Sequence, residues 1–253
     1  MKTSLVTGGA SGIGLEFVKL LLKDNYKVFV VDYNKENLKK LSSALDSNNY
    51  KCIEEDLSKK SSAKNIYTKL KNENIDVLIN NAGFGTYGKF YKTKWKIEKK
   101  MINLHVLNTT HLTKLFLKDM VKKNEGKILN ISSLAAFQPG PLMSLYYATK
   151  AYILHFTEAI ANEVKDKNIS VSVLCPGQTK TNFQNNVSSI KNKISFNTSC
   201  PIKVAKYGYQ SLKENITVSV PGYINKLIVF LNRILPRSTS TKIVRYIQEK
   251  NRN

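Results

Sequence analysis

The chain has 253 residues, 42% hydrophobic and 23% charged, with 40 Lys and Arg against 18 Asp and Glu for a net charge of +22. That composition excludes wholesale disorder, suits one α/β domain with a sizeable core, and contains no apolar run of the roughly 18 residues a bilayer span requires. Only Arg233, Arg237, Arg245 and Arg252 are arginine, and the lysines are dispersed, so nucleic acid, which selects a clustered footprint rich in arginine, is not an expected partner.

Short β-rich runs are expected at residues 4–9, 27–32, 50–57, 76–83, 126–133, 169–177 and 217–222. Helix-patterned stretches lie between them, near 13–24, 35–45, 59–73, 93–123, 146–166 and 201–214. This alternation predicts a doubly wound parallel sheet of about seven strands with helices on both faces, and the continuous apolar runs suit strands covered on both sides. Residues 178–200 are polar and aperiodic and read as a mobile loop. From 223 onward Ile224, Leu227, Ile228, Leu231, Ile234 and Leu235 follow a helical stripe that Pro236 ends, with a short second helix over KIVRYIQ. We take 1–222 as one domain and 223–253 as its helical extension. Cys52, Cys175 and Cys200 match no disulfide or metal spacing, and Met1-Lys2 run straight into a strand. A reduced cytoplasmic chain without signal peptide or metal is therefore expected.

Three patterns carry chemistry. The first strand runs into TGGASGIG, where Gly8, Gly12 and Gly14 permit close backbone approach and the following helix offers free N–H groups to a pyrophosphate. The spacing is G-x-x-x-G-x-G and not the better-known G-x-G-x-x-G. Asp32 ends the second strand, where a carboxylate can accept from adenosine ribose hydroxyls and repel a 2′-phosphate; Asp56 ends the third and can face an adenine. Tyr146 and Lys150 stand four apart on one helical face, where an ammonium favours phenolate and brings the tyrosine toward working pH. Tyr147 is three before Lys150 and is not excluded by spacing. Ser133, at a strand end, can hydrogen-bond a reacting oxygen. Trp95, His105, His111 and His155 read as packing residues.

The glycine loop, the NNAG run at Asn80–Gly83, Ser133, the YxxxK pair and the segment from Pro176 to Thr181 occur in one order. Together they resemble the short-chain dehydrogenase/reductase superfamily, in its single-domain form, over about residues 1–220. The resemblance implies a Rossmann-type enzyme that moves hydride between a nicotinamide and a ketone or secondary alcohol. Tyr146 would be the general acid/base, Lys150 its partner and a ribose ligand, and Ser133 the holder of the substrate oxygen. Asn103 would support a water-mediated proton path. Gly8, Ser11, Gly12, Ile13 and Gly14 would line the pyrophosphate, Asp32 the ribose, and Asp56 with Leu57 the adenine. Asn80, Ala82, Gly83, Pro176, Gly177 and Thr181 would border the rest of the cofactor. NAD(H) is expected from Asp32, with Lys35 keeping NADP(H) open. A substrate with an apolar body is expected from Phe183, Ile190, Ile194 and Phe196 in the 178–200 loop. The alternatives are a 3-oxoacyl reductase within the same class, or a catalytically silent nucleotide-binding or membrane-surface protein. A homodimer or homotetramer is expected by the same resemblance, and the tail reads as a lid, an interface or a peripheral anchor on anionic lipid, with Lys226, Arg233, Arg237, Lys242 and Arg245 on its polar side.

Overall fold

The computed structural model describes residues 1–45, 47–181 and 198–250. Phe183, Ile190, Ile194 and Phe196, and with them most of the expected substrate loop, lie outside the described residues. The strands are β1 (Thr3–Thr7), β2 (Lys27–Asp32), β3 (Tyr50–Glu54), β4 (Ile75–Asn80), β5 (Gly126–Ile131), β6 (Ile169–Leu174) and β7 (Val218–Ser219). They pair in parallel as one seven-stranded sheet in the order β3-β2-β1-β4-β5-β6-β7. The helices between them are α1 (Gly12–Lys23), α2 (Lys35–Ala44), α3 (Ser62–Leu70), α4 (Trp95–Ile102), α5 (Thr109–Lys123), α6 (Ser144–Glu163) and α7 (Pro201–Lys213).

Alternation along each strand explains the continuous apolar runs. Val6, Val28 and Val30 meet Phe17, Leu21 and Val204 on one face, while Leu5, Phe29 and Val31 meet Ile66, Phe116 and Met120 on the other. Both faces are core. Fully buried side chains such as Phe17 and Leu78 each contribute about 2–3 kcal/mol of transfer free energy. β3 is an edge, and its exposed Lys51 and Glu54 discourage further pairing.

Six strands stop short of their predicted ends: β1 at Thr7, β3 at Glu54, β4 at Asn80, β5 at Ile131, β6 at Leu174 and β7 at Ser219. Beyond those points the chain leaves the sheet, and its N–H groups find loop partners. Ser132 N–H donates to Leu174, Leu134 N–H to Pro176, and Asn81 N–H to the Thr7 hydroxyl. Many of these residues, Asp56, Asn81, Ser133 and Pro176 among them, wall a crevice. That crevice opens where the strand order reverses, between the C-terminal ends of β1 and β4.

The single helix expected over 93–123 is three pieces: α4, a π-helical turn over Asn103–Asn108, and α5. Asn108 produces the widened turn. Its amide donates to the carbonyls of Leu57, Lys59 and Asn103 at 2.7, 2.7 and 3.1 Å, and its carbonyl accepts from Ala63 N–H at 2.9 Å. A side chain inserted into the helical ladder widens the turn locally. After β7 come α8 (Tyr223–Ile234) and α9 (Arg237–Lys250). As expected, Pro236 separates them, and its carbonyl starts the second helix by accepting from Thr239 and Ser240 N–H.

Candidate active site

The glycine loop is drawn tightly onto the sheet. Gly8 N–H donates to the Val31 carbonyl at 2.7 Å, and Gly8 takes φ +62°, a left-handed conformation that favours glycine. At Gly14 a Cβ would stand 2.1 Å from the Gly8 carbonyl oxygen, so only glycine lets the first turn of α1 pack against the loop. Ser11 caps α1 without a side-chain hydrogen bond, leaving the first-turn N–H groups to an anion. The Asn81 amide locks the loop from the other side, donating to the carbonyls of Thr7 and Gly8 at 3.1 and 3.0 Å.

Asp32 is 7% exposed. One carboxylate oxygen accepts from Ala10 N–H at 3.2 Å, and the other from Asn34 N–H at 3.0 Å. Burial pushes its pKa up from the ordinary carboxylate range, and these N–H groups hold it back. Asp56 accepts from Ser58 N–H at 2.9 Å in the turn after β3.

At the other end of the crevice, Ser133 accepts from Ala135 N–H at 3.1 Å and hydrogen-bonds Tyr146. Lys150, 4% exposed, donates to the Ile131 carbonyl at 2.8 Å and holds its ammonium 5.8 Å from the centre of the Tyr146 ring. Burial lowers the Lys150 pKa to about 8 and pushes Tyr146 up to about 12, with the Ser133 hydrogen bond acting to lower the latter. The expectation that Lys150 brings Tyr146 down toward working pH is therefore corrected. Desolvation is the largest cause, Ser133 rather than Lys150 supplies the lowering contribution, and the Lys150 ammonium donates to the Ile131 carbonyl. The spacing ambiguity with Tyr147 also closes. Tyr147 packs against Gly140 and accepts from Gln248 on α9 at 2.9 Å, whereas Tyr146 hydrogen-bonds Ser133.

His105 adds a contact that spacing did not disclose. It is wholly buried, accepts from Phe84 N–H at 3.2 Å through Nε2, and meets the Thr149 hydroxyl at 2.9 Å through Nδ1. Thr149 in turn donates to the Tyr146 carbonyl at 2.9 Å. Burial, with Lys150 nearby, holds His105 well below its ordinary pKa and so neutral, and because Nε2 accepts from Phe84 N–H the ring proton is on Nδ1. The histidine ties the wall of the crevice to the backbone that carries Tyr146.

These groups share one cavity of about 1380 Å³. Gly8, Ser11, Gly12, Ile13, Asp32, Asp56 and Leu57 line its far end. Ala82 and Thr181 stand against Gly8 and Gly12, and Gly83, Ser133, Tyr146, Lys150, Pro176 and Gly177 line the near end. Three predicted residues stand behind the wall. Gly14 lies under the loop. Asn80 is buried and donates to Thr113 and Asn130 at 3.0 and 2.8 Å, so Asn81 takes the lining position. Asn103 donates to the Ser58 carbonyl at 2.9 Å. The sequence did not point to Lys100 or Phe84, and of the three roles open to the tail, lid, interface or anchor, it did not single out a place in the cavity wall. Lys100 and Phe84 lacked any motif, and the tail follows Gly222 far from the other site residues in sequence. Ile228, Leu231, Leu235, Ile243, Val244 and Ile247, on α8 and α9, form an apolar wall.

The site fits a nicotinamide dinucleotide in its own geometry: a cradle in which a Cβ at Gly12 would meet Thr181, an open helix N-terminus, and a carboxylate beyond it. Comparison with known proteins agrees. The family model described as short chain dehydrogenase matches residues 2–193. The very-long-chain 3-oxoacyl-CoA reductase of Mus musculus is 29% identical over 267 residues, covering 99% of this chain and 83% of that one. The 3-oxoacyl-[acyl-carrier-protein] reductase of Rickettsia prowazekii is 33% identical over 182 residues, covering 72% and 74%. Among solved structures, one described for 7beta-hydroxysteroid dehydrogenase stereoselectivity superposes with TM-score 0.87 at 20% identity, covering 96% of each chain. A short-chain dehydrogenase from Sphingobium yanoikuyae in complex with NADPH gives TM-score 0.81 at 21% identity, covering 94% of this chain and 98% of that one. The chain belongs to the short-chain dehydrogenase family, and it is an oxidoreductase that acts on CH–OH groups with a nicotinamide cofactor.

Proposed function

We propose that the protein is an NAD(H)-dependent reductase of 3-oxoacyl thioesters, with Tyr146 as the proton donor. The observation that carries this reading is the joined cavity, which runs from the glycine loop past Tyr146 to an apolar wall from α8 and α9. A dinucleotide held between the glycine loop and Lys150 would leave the Ile228–Ile247 wall for the substrate, and that wall suits an acyl chain. The two curated relatives are both 3-oxoacyl reductases, which supports the same substrate class. Bound in the crevice, the nicotinamide supplies hydride in reduction and accepts it in oxidation.

The chain's own residues do the rest. The first turn of α1 neutralises the pyrophosphate, and Asp32 accepts from the adenosine ribose. The only basic residues in the cavity wall, among those described, are Lys100 and Lys150, and Lys35 is exposed outside it. A 2′-phosphate beside Asp32 would meet a carboxylate without a counter-charge, which favours NAD(H). Ser133 donates to the 3-oxo oxygen. Tyr146, held as a neutral phenol by burial, passes its proton to that oxygen as charge develops. Lys150, cationic below about pH 8, stabilises the phenolate left behind and can hydrogen-bond the nicotinamide ribose. Asn103 is proposed to support proton return to Lys150 through water. The same reading includes a homodimer or homotetramer, and peripheral contact with a membrane through the tail.

The test is a reduction assay with NADH and, separately, NADPH against 3-oxoacyl thioesters of increasing chain length, with Tyr146→Phe as the inactive control. Turnover that rises with chain length and prefers NADH is the expected result. Activity confined to compact ketones, or to NADPH, overturns the substrate or the cofactor half of the reading respectively.

A further inference from the structure

α8 carries two apolar faces. Ile228, Leu231 and Leu235 line the cavity, whereas Tyr223, Leu227, Phe230 and Ile234 are 90%, 55%, 58% and 66% exposed. At 3.6 residues per turn the second set repeats every three or four positions and forms one stripe along the helix. Exposed apolar residues arranged as a stripe mark a contact surface, unlike the same residues scattered singly. α9 extends it. Ile243 and Ile247 are 45% and 47% exposed and also line the cavity, as does Leu231 at 43%. The rim of the cavity is thus apolar where it meets the outer stripe.

Charge selects the partner. Between Tyr223 and Lys250 stand Lys226, Arg233, Arg237, Lys242, Arg245 and Lys250, against the single acid Glu249. Glu249 is already paired with Arg245 at 3.0 Å. Every arginine among the described residues lies in this segment. A second copy of the chain seated on the stripe would bring two sets of cations together within a protein of net charge +22. An anionic lipid surface offers the opposite charge and an apolar layer beneath it.

We propose that α8 and α9 dock the protein on an anionic lipid surface with the cavity rim facing the bilayer, so that an apolar substrate passes from lipid to Tyr146 without crossing water. The docking stands on the stripe and its charge. The delivery step rests on the apolar substrate read above.

The experiment is cosedimentation of the full-length protein with phosphatidylcholine vesicles, with and without phosphatidylglycerol, at low and high salt. It includes two paired variants outside the cavity wall, Leu227→Glu with Phe230→Glu and Lys226→Glu with Arg237→Glu. NADH titration and thermal melting check that each variant is folded. Binding that requires phosphatidylglycerol, weakens with salt and falls by roughly tenfold or more in both pairs is expected. The KM for vesicle-borne substrate should rise in the variants, while that for a short soluble thioester stays put. The docking is overturned if wild type fails to bind phosphatidylglycerol vesicles, or if the Leu227/Phe230 pair binds as well as wild type. It is also overturned if sedimentation velocity finds a dimer that this pair dissociates and no vesicle binding. Vesicle binding without turnover of any 3-oxoacyl thioester supports the docking and removes the substrate reading instead.

Discussion

Replacing Asp32 by alanine probes the cofactor end of the cavity at a point where the acceptors can be counted. An ionised carboxylate offers about four lone-pair positions. In this protein each oxygen already accepts one backbone N–H, from Ala10 at 3.2 Å and from Asn34 at 3.0 Å. Tyr33 N–H also bonds the carboxylate, and the lone-pair positions that remain are those the hydroxyls of an adenosine ribose would use. A hydrogen bond to a charged group is worth about 1.5–3 kcal/mol, and two that share one carboxylate are not additive, so Asp32→Ala should cost about 3 kcal/mol of NADH binding. That is roughly a hundredfold in Kd. NADPH should gain relative to NADH, because the repulsion of the 2′-phosphate goes with the carboxylate. Asp32→Asn, which keeps one acceptor oxygen, should fall between the two. Fluorescence titration of both nucleotides against the three proteins gives the Kd values, and thermal melts show whether the Ala10 and Asn34 turns survive. An NADH affinity within about twofold of wild type in a folded Asp32→Ala protein would refute the assignment, as would NADPH binding more tightly to wild type.

Three further outcomes follow from the same geometry. Tyr146→Phe should leave NADH binding within a few-fold of wild type and lower reductive kcat by about 10²–10⁴, the usual contribution of a positioned proton donor, measured by absorbance at saturating cofactor. The pH dependence has a definite sign. Lys150 is cationic below about 8 and Tyr146 keeps its proton up to about 12, so reductive kcat/KM should be level near neutrality and fall as pH rises through about 8, whereas the oxidative direction should gain. A profile that instead falls toward acid from neutrality contradicts this order. His105→Phe leaves Phe84 N–H without its acceptor at a cost of about 1–3 kcal/mol, or about 2–4 °C in Tm for each kcal/mol at this size. Because His105 acts through Thr149 on the Tyr146 backbone, kcat should drop with little change in KM for NADH, and His105→Gln should recover part of it.

How much of this was legible beforehand differs by element. The strands were readable because alternating faces of β1, β2 and β4 are both core, which writes Val, Ile and Leu into unbroken runs. Their ends were not readable, because residues such as Leu57 and Ala82 look the same in a sheet as in the wall of a crevice. The break at Pro236 followed from the ring's fixed geometry. The π-helical turn did not, since it depends on Asn108 finding the carbonyls of Leu57 and Lys59, about fifty positions away.

The candidate site divides the same way. Gly8, Ser133, Tyr146 and Lys150 were visible because their chemistry imposes residue types at short spacings: glycine where the backbone must crowd, and a tyrosine and a lysine one helical turn apart. The pKa order of Tyr146 and Lys150, the choice of Asn81 over Asn80, the bridge through His105, and the tail's place in the cavity wall were decided only by the tertiary structure. Each depends on which groups are packed out of water and which distant partners are brought within hydrogen-bonding reach, and neither desolvation nor long-range contact leaves a mark at fixed spacing along the chain.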